Sequence, residues 1–282
     1  MYMGFGMRCH DLVAKGKIDD LMTKLQENKI ECVQLALKKS IADVDFSVGN
    51  YSGGLAHFVD KKLKDAGVHV SVLGCYINPT NPNEEKRQAE MTRFIEHLRY
   101  AKSIGADMVG TETGRLDEDF NIVPGTYTET CYQRLLKTMR PLVDAAEKLG
   151  VIIGVEGVAT HTLYSPEMMQ RFLDDIDSPN VEVILDAVNL LDRNNYKEQE
   201  AVFDKAFKLY GDRITVAHIK DFKIDENGDV AFEQVGEGLL NYKHLFKLFK
   251  QYKPYITMLI ENSNEARYAS DCEYLQKIYD EA

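Results

Sequence analysis

Four apolar runs in the second half of the chain each end in a residue that can hold a cation or move a proton. "VIIGVE" closes on Glu156, "VEVILD" on Asp186, "ITVAH" on His218 and "YITMLIE" on Glu261. Short runs rich in β-branched residues and bounded by turn residues read as buried strands. Each is followed by a loop and an amphipathic stretch, and the four tips lie 30, 32 and 43 residues apart, close to one strand–helix unit per step. Parallel strands joined by right-handed crossovers carry all their C-terminal tips to one side, so a chain of this pattern folds around a shared site.

The alternation extends over the whole sequence. Strands are expected at 3–8, 31–37, 68–77, 106–113, 151–156, 181–187, 214–220 and 255–262, and helices at 18–29, 53–67, 84–105, 128–150, 165–176, 197–210 and 240–252, with a last helix at the end. Ser165 and Pro166 suit an N-cap and first helical position. Gly67 suits a helix stop. Pro141 is expected to kink or split the helix that contains it. Residues 114–127 form the longest irregular stretch, and "DENGDV" reads as a turn tip. Eight strand–helix units in 282 residues, with no linker or composition break, define an α/β protein: a single-domain (β/α)8 TIM barrel over residues 1–282. A doubly wound open sheet would call for a glycine-rich phosphate loop after the first strand, and "GFGMRCHD" does not match GxGxxG.

The net charge of -11 opposes a nucleic-acid backbone, and no basic run exceeds Lys38-Lys39 or Lys61-Lys62. No stretch of about 18 apolar residues is present to span a membrane. The opening "MYMGFGMRCHDLVAKGK" reads as a first strand and not as a signal peptide. The five cysteines are scattered without CxxC spacing, as expected of reduced thiols in a cytoplasmic protein.

At a barrel mouth, Glu156, Asp186, His218 and Glu261 would face one another. Carboxylates crowded together without a cation repel and shift toward protonation, so the set is expected to ligate one divalent metal ion of the Mn, Mg, Co or Zn type. Further pocket candidates are His161 in the loop after Glu156, Lys220 two residues beyond His218, Glu112 at the fourth strand end, and His10 just past the first strand. Three of them have a plainer alternative: a surface loop for His161, a pairing with Asp221 or a neighbouring acid for Lys220, a salt bridge with Arg115 for Glu112. His57 reads as a packing residue. Cys75 or Tyr76 is expected to line the pocket, and Asn262 to face away from it because strand side chains alternate.

The segments "GVEGV", "ILDAVNLL", "AHIKD", "VGEGLLNY" and "LIENS", in this order and spacing, resemble the sugar phosphate isomerase/epimerase superfamily, the xylose isomerase-like barrels. That group includes ketose 3-epimerases, inosose dehydratase and endonuclease IV. The resemblance covers essentially the whole chain. It implies that Glu156, Asp186, His218 and Glu261 bind the metal and that Glu156 and Glu261 form the acid/base pair. The expected activity is isomerisation or epimerisation of a sugar or sugar phosphate through a cis-enediolate; an inosose dehydratase-like lyase is the alternative. It further implies a homo-oligomer, dimer or tetramer. Many relatives carry a histidine three residues after the strand-six aspartate; here Asn189 stands there, an amide that can bond a substrate hydroxyl but cannot exchange a proton near neutral pH. A DNA-repair endonuclease would need a three-metal site with more histidines at strand ends than the seven present supply. A non-enzymatic scaffold would be expected to have lost a ligand, and all four are kept.

Overall fold

The computed structural model describes residues 4–282, so the first residue of the expected strand 3–8 lies outside the described residues. Eight parallel strands close into a barrel: β1 (Phe5–Arg8), β2 (Cys32–Leu35), β3 (His69–Gly74), β4 (Met108–Glu112), β5 (Ile152–Glu156), β6 (Val181–Asp186), β7 (Ile214–Ile219) and, after an antiparallel hairpin of β8 (Asp221–Ile224) and β9 (Val230–Glu233), β10 (Thr257–Ile260). β1 pairs with both β2 and β10, which shuts the ring. The longer helices packed around it are α2 (Ile18–Glu27), α4 (Gly53–Ala66), α5 (Glu84–Ile104), α6 (Glu129–Leu149), α7 (Pro166–Ile176), α8 (Gln199–Tyr210), α9 (Tyr242–Tyr252) and α10 (Tyr268–Glu281); α1 (Cys9–Leu12) and α3 (Leu37–Ser40) are single turns. The (β/α)8 class expected from the sequence is the fold observed.

The core has two layers. Outward strand residues pack on the helices in one large cluster, while Val72, Met108, Ile184, Val216 and Leu259 form a small separate plug inside the barrel. Glycine makes room for the plug. A Cβ on Gly154 would meet Met108 Sδ, and Ile184 Cδ1 at 2.9 Å. Because strand side chains alternate, residues two further along point inward as well, above the plug and toward the C-terminal mouth. The apolar plug is thus the floor of the site.

Pro141 does not split its helix. α6 runs unbroken from Glu129 to Leu149 because Leu135, Leu136, Met139, Leu142, Val143 and Ala146 bury one continuous face, while Pro141 and Lys137 lie on the solvent side. There the carbonyl freed by the missing N–H can be met by water. "DENGDV" is the tip of the β8–β9 hairpin, as its turn residues suggest.

Two features bear on stability. The buried Asp221 carboxylate accepts from the N–H groups of Phe222, Gly236, Gly238 and Leu240 and so folds the "VGEGLLNY" segment around itself. A Cβ on Gly238 would strike the Phe222 carbonyl and the Asp221 carboxylate. Gly238→Ala is therefore expected to lower stability by about 1–3 kcal/mol, read as a shift in denaturation midpoint at constant m. On α5, His97 is 4% exposed and its Nδ1 lies 2.8 Å from the Arg93 carbonyl oxygen. Burial lowers its pKa from 6.5 to about 4. The unfolded chain then binds the extra proton first as acid is added, so this contribution is complete above pH 6.5 and is lost as pH falls toward 4. Denaturation between those limits is expected to show a loss of roughly 2–3 kcal/mol from this group that His97→Gln removes.

Candidate active site at the barrel mouth

Every barrel strand, or the stretch just past its end, places an inward side chain above the plug. β1 gives Arg8, β2 Gln34, β4 Glu112, β5 Glu156 and β6 Asp186; Tyr76 follows β3, Glu261 follows β10, and β7 contributes His218 with Lys220 just beyond. Glu156, Asp186, His218, Lys220 and Glu261 are all at most 4% exposed. All of these residues except Asp186 and His218 line one cavity of about 350 Å³ together with His10, Lys39, Arg115, Phe120, Val158, Thr160, His161, Asn189, Phe232 and Asn262.

Glu156, Asp186 and His218 each place one ligand atom within 4.8 Å of the others. Glu261 stands beside this group of three, with Oε1 3.2 Å from His218 Nδ1, while Glu156 Oε2 is 3.3 Å from the same nitrogen. The other ring nitrogen, Nε2, is 2.7 Å from Gln34 Oε1. Gln34 thereby fixes Nε2 as a protonated nitrogen and leaves Nδ1, a buried atom with no well-aligned hydrogen-bond partner, as the one that can exchange its proton for a cation. Burial alone would lower the His218 pKa, but the Glu261 and Glu156 carboxylates raise it to about 9. A nitrogen that attracts a proton so strongly among three carboxylates is a place for a cation, and three oxygen donors with one imidazole suit the ions named from the sequence.

Cations already present share the load. Lys220 Nζ lies 2.6 Å from Asp186 Oδ2, 3.3 Å from Glu261 Oε2 and 2.9 Å from Asn189 Oδ1. Its pairing is with Asp186 and not with its neighbour Asp221, whose carboxylate serves the loop described above. Arg8 Nη1 lies 3.1 Å from Glu261 Oε1. Burial works against the Glu261 charge, yet His218, Lys220 and Arg8 hold its pKa at about 2. Burial raises Asp186 to about 6 against the opposing pull of Lys220. Asn189 is a clamp: its amide donates to Glu156 Oε1 at 2.5 Å and accepts from Lys220.

On the β4 side Glu112 sits directly across the ladder from Glu156. Burial and then the Glu156 charge raise its pKa to about 8. It does not pair with Arg115, which instead bonds Thr160 and the Phe120 carbonyl. His161 is no surface residue: it is 2% exposed, edge-on to Phe120, with Nδ1 unpartnered and 3.6 Å from Glu112 Oε2. Burial depresses its pKa to about 3, so it is neutral. His10 is half-buried at the rim, and its Nδ1 has no hydrogen-bond partner. His57, expected to pack, is exposed.

Asn262 corrects the expectation that it faces away. The strand has ended at Ile260, and Asn262 adopts φ 57°, which breaks the two-residue alternation and turns its side chain to Arg8 Nη2 at 2.9 Å. Tyr76, not the buried Cys75, lines the cavity, donating to Glu156 Oε2 at 3.4 Å. Arg8 and Gln34 were not singled out from the sequence. Their signal is a polar residue two places after an inward small or apolar one, Gly6 and Cys32, on strands too short to stand out by periodicity.

A closed eight-stranded parallel barrel with a buried acid–imidazole cluster at its C-terminal mouth defines the class. The chain belongs to the xylose isomerase-like TIM barrel family, whose model matches residues 22–278. It is 21% identical over 217 residues to the inosose dehydratase of Glaesserella parasuis serovar 5 (strain SH0165), covering 68% of this chain and 70% of that one. Among solved structures it resembles a D-tagatose 3-epimerase-like protein (TM-score 0.75, 18% identity, 99% of both chains). It also resembles a xylose isomerase-like TIM barrel protein from Mycobacterium smegmatis in complex with magnesium (TM-score 0.70, 16% identity, 99% of this chain and 98% of that one). Among the described residues no helix is long and apolar enough to cross a membrane.

Proposed function

We propose that this chain is a divalent-metal-dependent isomerase or epimerase acting on a ketose or ketose phosphate. The observation that carries the reading is the orphaned His218 Nδ1, held by Gln34 in the metal-binding tautomer with carboxylates of Glu156 and Glu261 beside it and Asp186 within reach. Glu156, Asp186, His218 and Glu261 would hold the ion. When bound, it draws electron density from a substrate carbonyl and acidifies the adjacent C–H. Glu156 is assigned the removal of that proton, steadied by Asn189 and Tyr76, leaving an enediolate. Glu261, ionised beside Lys220 and Arg8, is assigned the opposite face, where it relays to the enediolate a proton from the Lys220 ammonium 3.3 Å from its Oε2, which solvent then restores. Lys220 and Arg8 balance the negative charge that develops, and Asn189, His161, Glu112 and His10 offer contacts to hydroxyl groups. The names of the relatives, an inosose dehydratase and a D-tagatose 3-epimerase-like protein, support a polyol carbonyl compound as substrate.

One observation favours the lyase reading. Glu112, raised to about 8, keeps its proton at neutral pH beside Glu156. It can give that proton to a departing β-hydroxyl, which leaves as water after Glu156 has taken the C–H proton. Metal analysis of the purified protein, followed by incubation with ketoses and inososes in deuterated water, tests both readings. Deuterium incorporation at otherwise unchanged substrate formula supports isomerisation or epimerisation; a product whose formula has lost one oxygen as water supports dehydration. No bound divalent metal and no exchange with any compound defeats both.

A further inference from the structure

The β8–β9 hairpin carries an exposed aromatic ring over the polar cavity. Phe222 and Phe232 are opposite one another in its ladder, so their side chains leave the ribbon on the same face. Their fates differ. Phe222 is fully buried beneath the Asp221 loop, while Phe232 is 57% exposed and lines the cavity. Its ring centroid lies 4.0 Å from Lys220 Nζ. Asp186, Glu261 and Asn189 take the hydrogen bonds and charge of that ammonium, and the ring caps a remaining side. The mount is firm. Asp221 anchors the hairpin base through four N–H groups, Lys223 pairs with Glu233 at 2.6 Å, and the Asp225 carboxylate accepts from Asn227 and Asp229 at the tip. On the β4 side of the same cavity stands Phe120, fixed by Arg115 over its ring and by His161 at its edge.

We propose that Phe232 is a specificity-determining residue that receives the C–H face of a ring-shaped polyol seated over the acid cluster. The inference rests on the reading that the cavity binds a polyol carbonyl compound, and it names the form of that compound. A ring presents several C–H groups in one flat patch that an aromatic face can cover, whereas an open chain alternates its hydroxyls and offers no such patch. A ring left more than half exposed beside buried charges has its uncovered side free for that contact.

The chain contains no tryptophan, so Phe232→Trp installs a single reporter at the mouth. Titration of its emission with scyllo-inosose, a cyclic ketone, and with erythrulose, a four-carbon ketose that cannot close a ring, separates the two forms. A saturable change with the ring compound and little with erythrulose is expected; no change with either, or equal changes, overturns the inference. The kinetic arm uses Phe232→Ala and Phe232→Leu, both at a solvent-facing position compatible with folding. Alanine is expected to raise KM for the ring compound about tenfold with kcat within about twofold, leucine to rank between, and erythrulose kinetics to be unmoved. A ring KM unaffected by alanine overturns the inference while leaving the proposed function intact. Ring-selective emission changes in a protein that turns over no ketose support the platform and count against the proposed function instead.

Discussion

Glu156→Gln is expected to cut turnover by about 10²–10⁴-fold while leaving the fold in place. The substitution keeps the shape of the side chain; the amide oxygen can still accept from the Asn189 amide, while its NH2 can donate to the Tyr76 hydroxyl oxygen in place of the bond that Glu156 accepts there. What it removes is the capacity to take a proton. Circular dichroism and thermal melting check the fold, and deuterium exchange into substrate checks the step itself. Exchange at the unaltered rate would remove Glu156 from the role of base. Glu112→Gln is the informative companion: it should leave deuterium exchange nearly intact and suppress only the loss of water, if water is lost at all.

Lys220→Met is expected to lower the stability of the metal-free protein by about 3–5 kcal/mol, because it strips a counter-charge from buried carboxylates that remain. Asp186 loses a partner at 2.6 Å and Glu261 one at 3.3 Å. A divalent cation can replace that charge. The rise in Tm produced by millimolar Mn2+ should therefore be larger in the variant than in the parent protein, and calorimetric Mn2+ affinity should increase. An equal rise in both would show that the ammonium and the added cation do not balance the same carboxylates.

The fold was legible in the sequence because the strand tips recur at a near-constant interval and each is followed by a helical stripe. The same regularity found Glu156, Asp186, His218, Glu261 and Lys220, at or just past the ends of apolar runs of five to seven residues that stand out in the sequence. It failed where patterning is short. β1 and β2 have four residues each, too few for periodicity to single out Arg8 and Gln34. It failed again at Asn262, where a left-handed backbone turn replaces strand alternation. The environment of His161 was hidden for another reason: its burial depends on Phe120 and Arg115, brought over it by the long 114–123 segment, and nothing local records that approach. The continuity of α6 through Pro141 likewise depends on which side of the helix meets solvent.

The seam between β1 and β10 has a bearing on how the protein matures. Arg8 reaches Glu261 and Asn262 across it, joining residues more than 250 positions apart. Such a contact is among the last that a growing chain can make, since the intervening loop must be closed first. Until the final strand docks, Glu261 has neither Arg8 nor Lys220 beside it, and the His218 nitrogen lacks one of its two carboxylates. Under the proposed metal-binding role, a partly assembled barrel would offer an ion an incomplete cradle, and tight capture of the ion would report that the ring has closed.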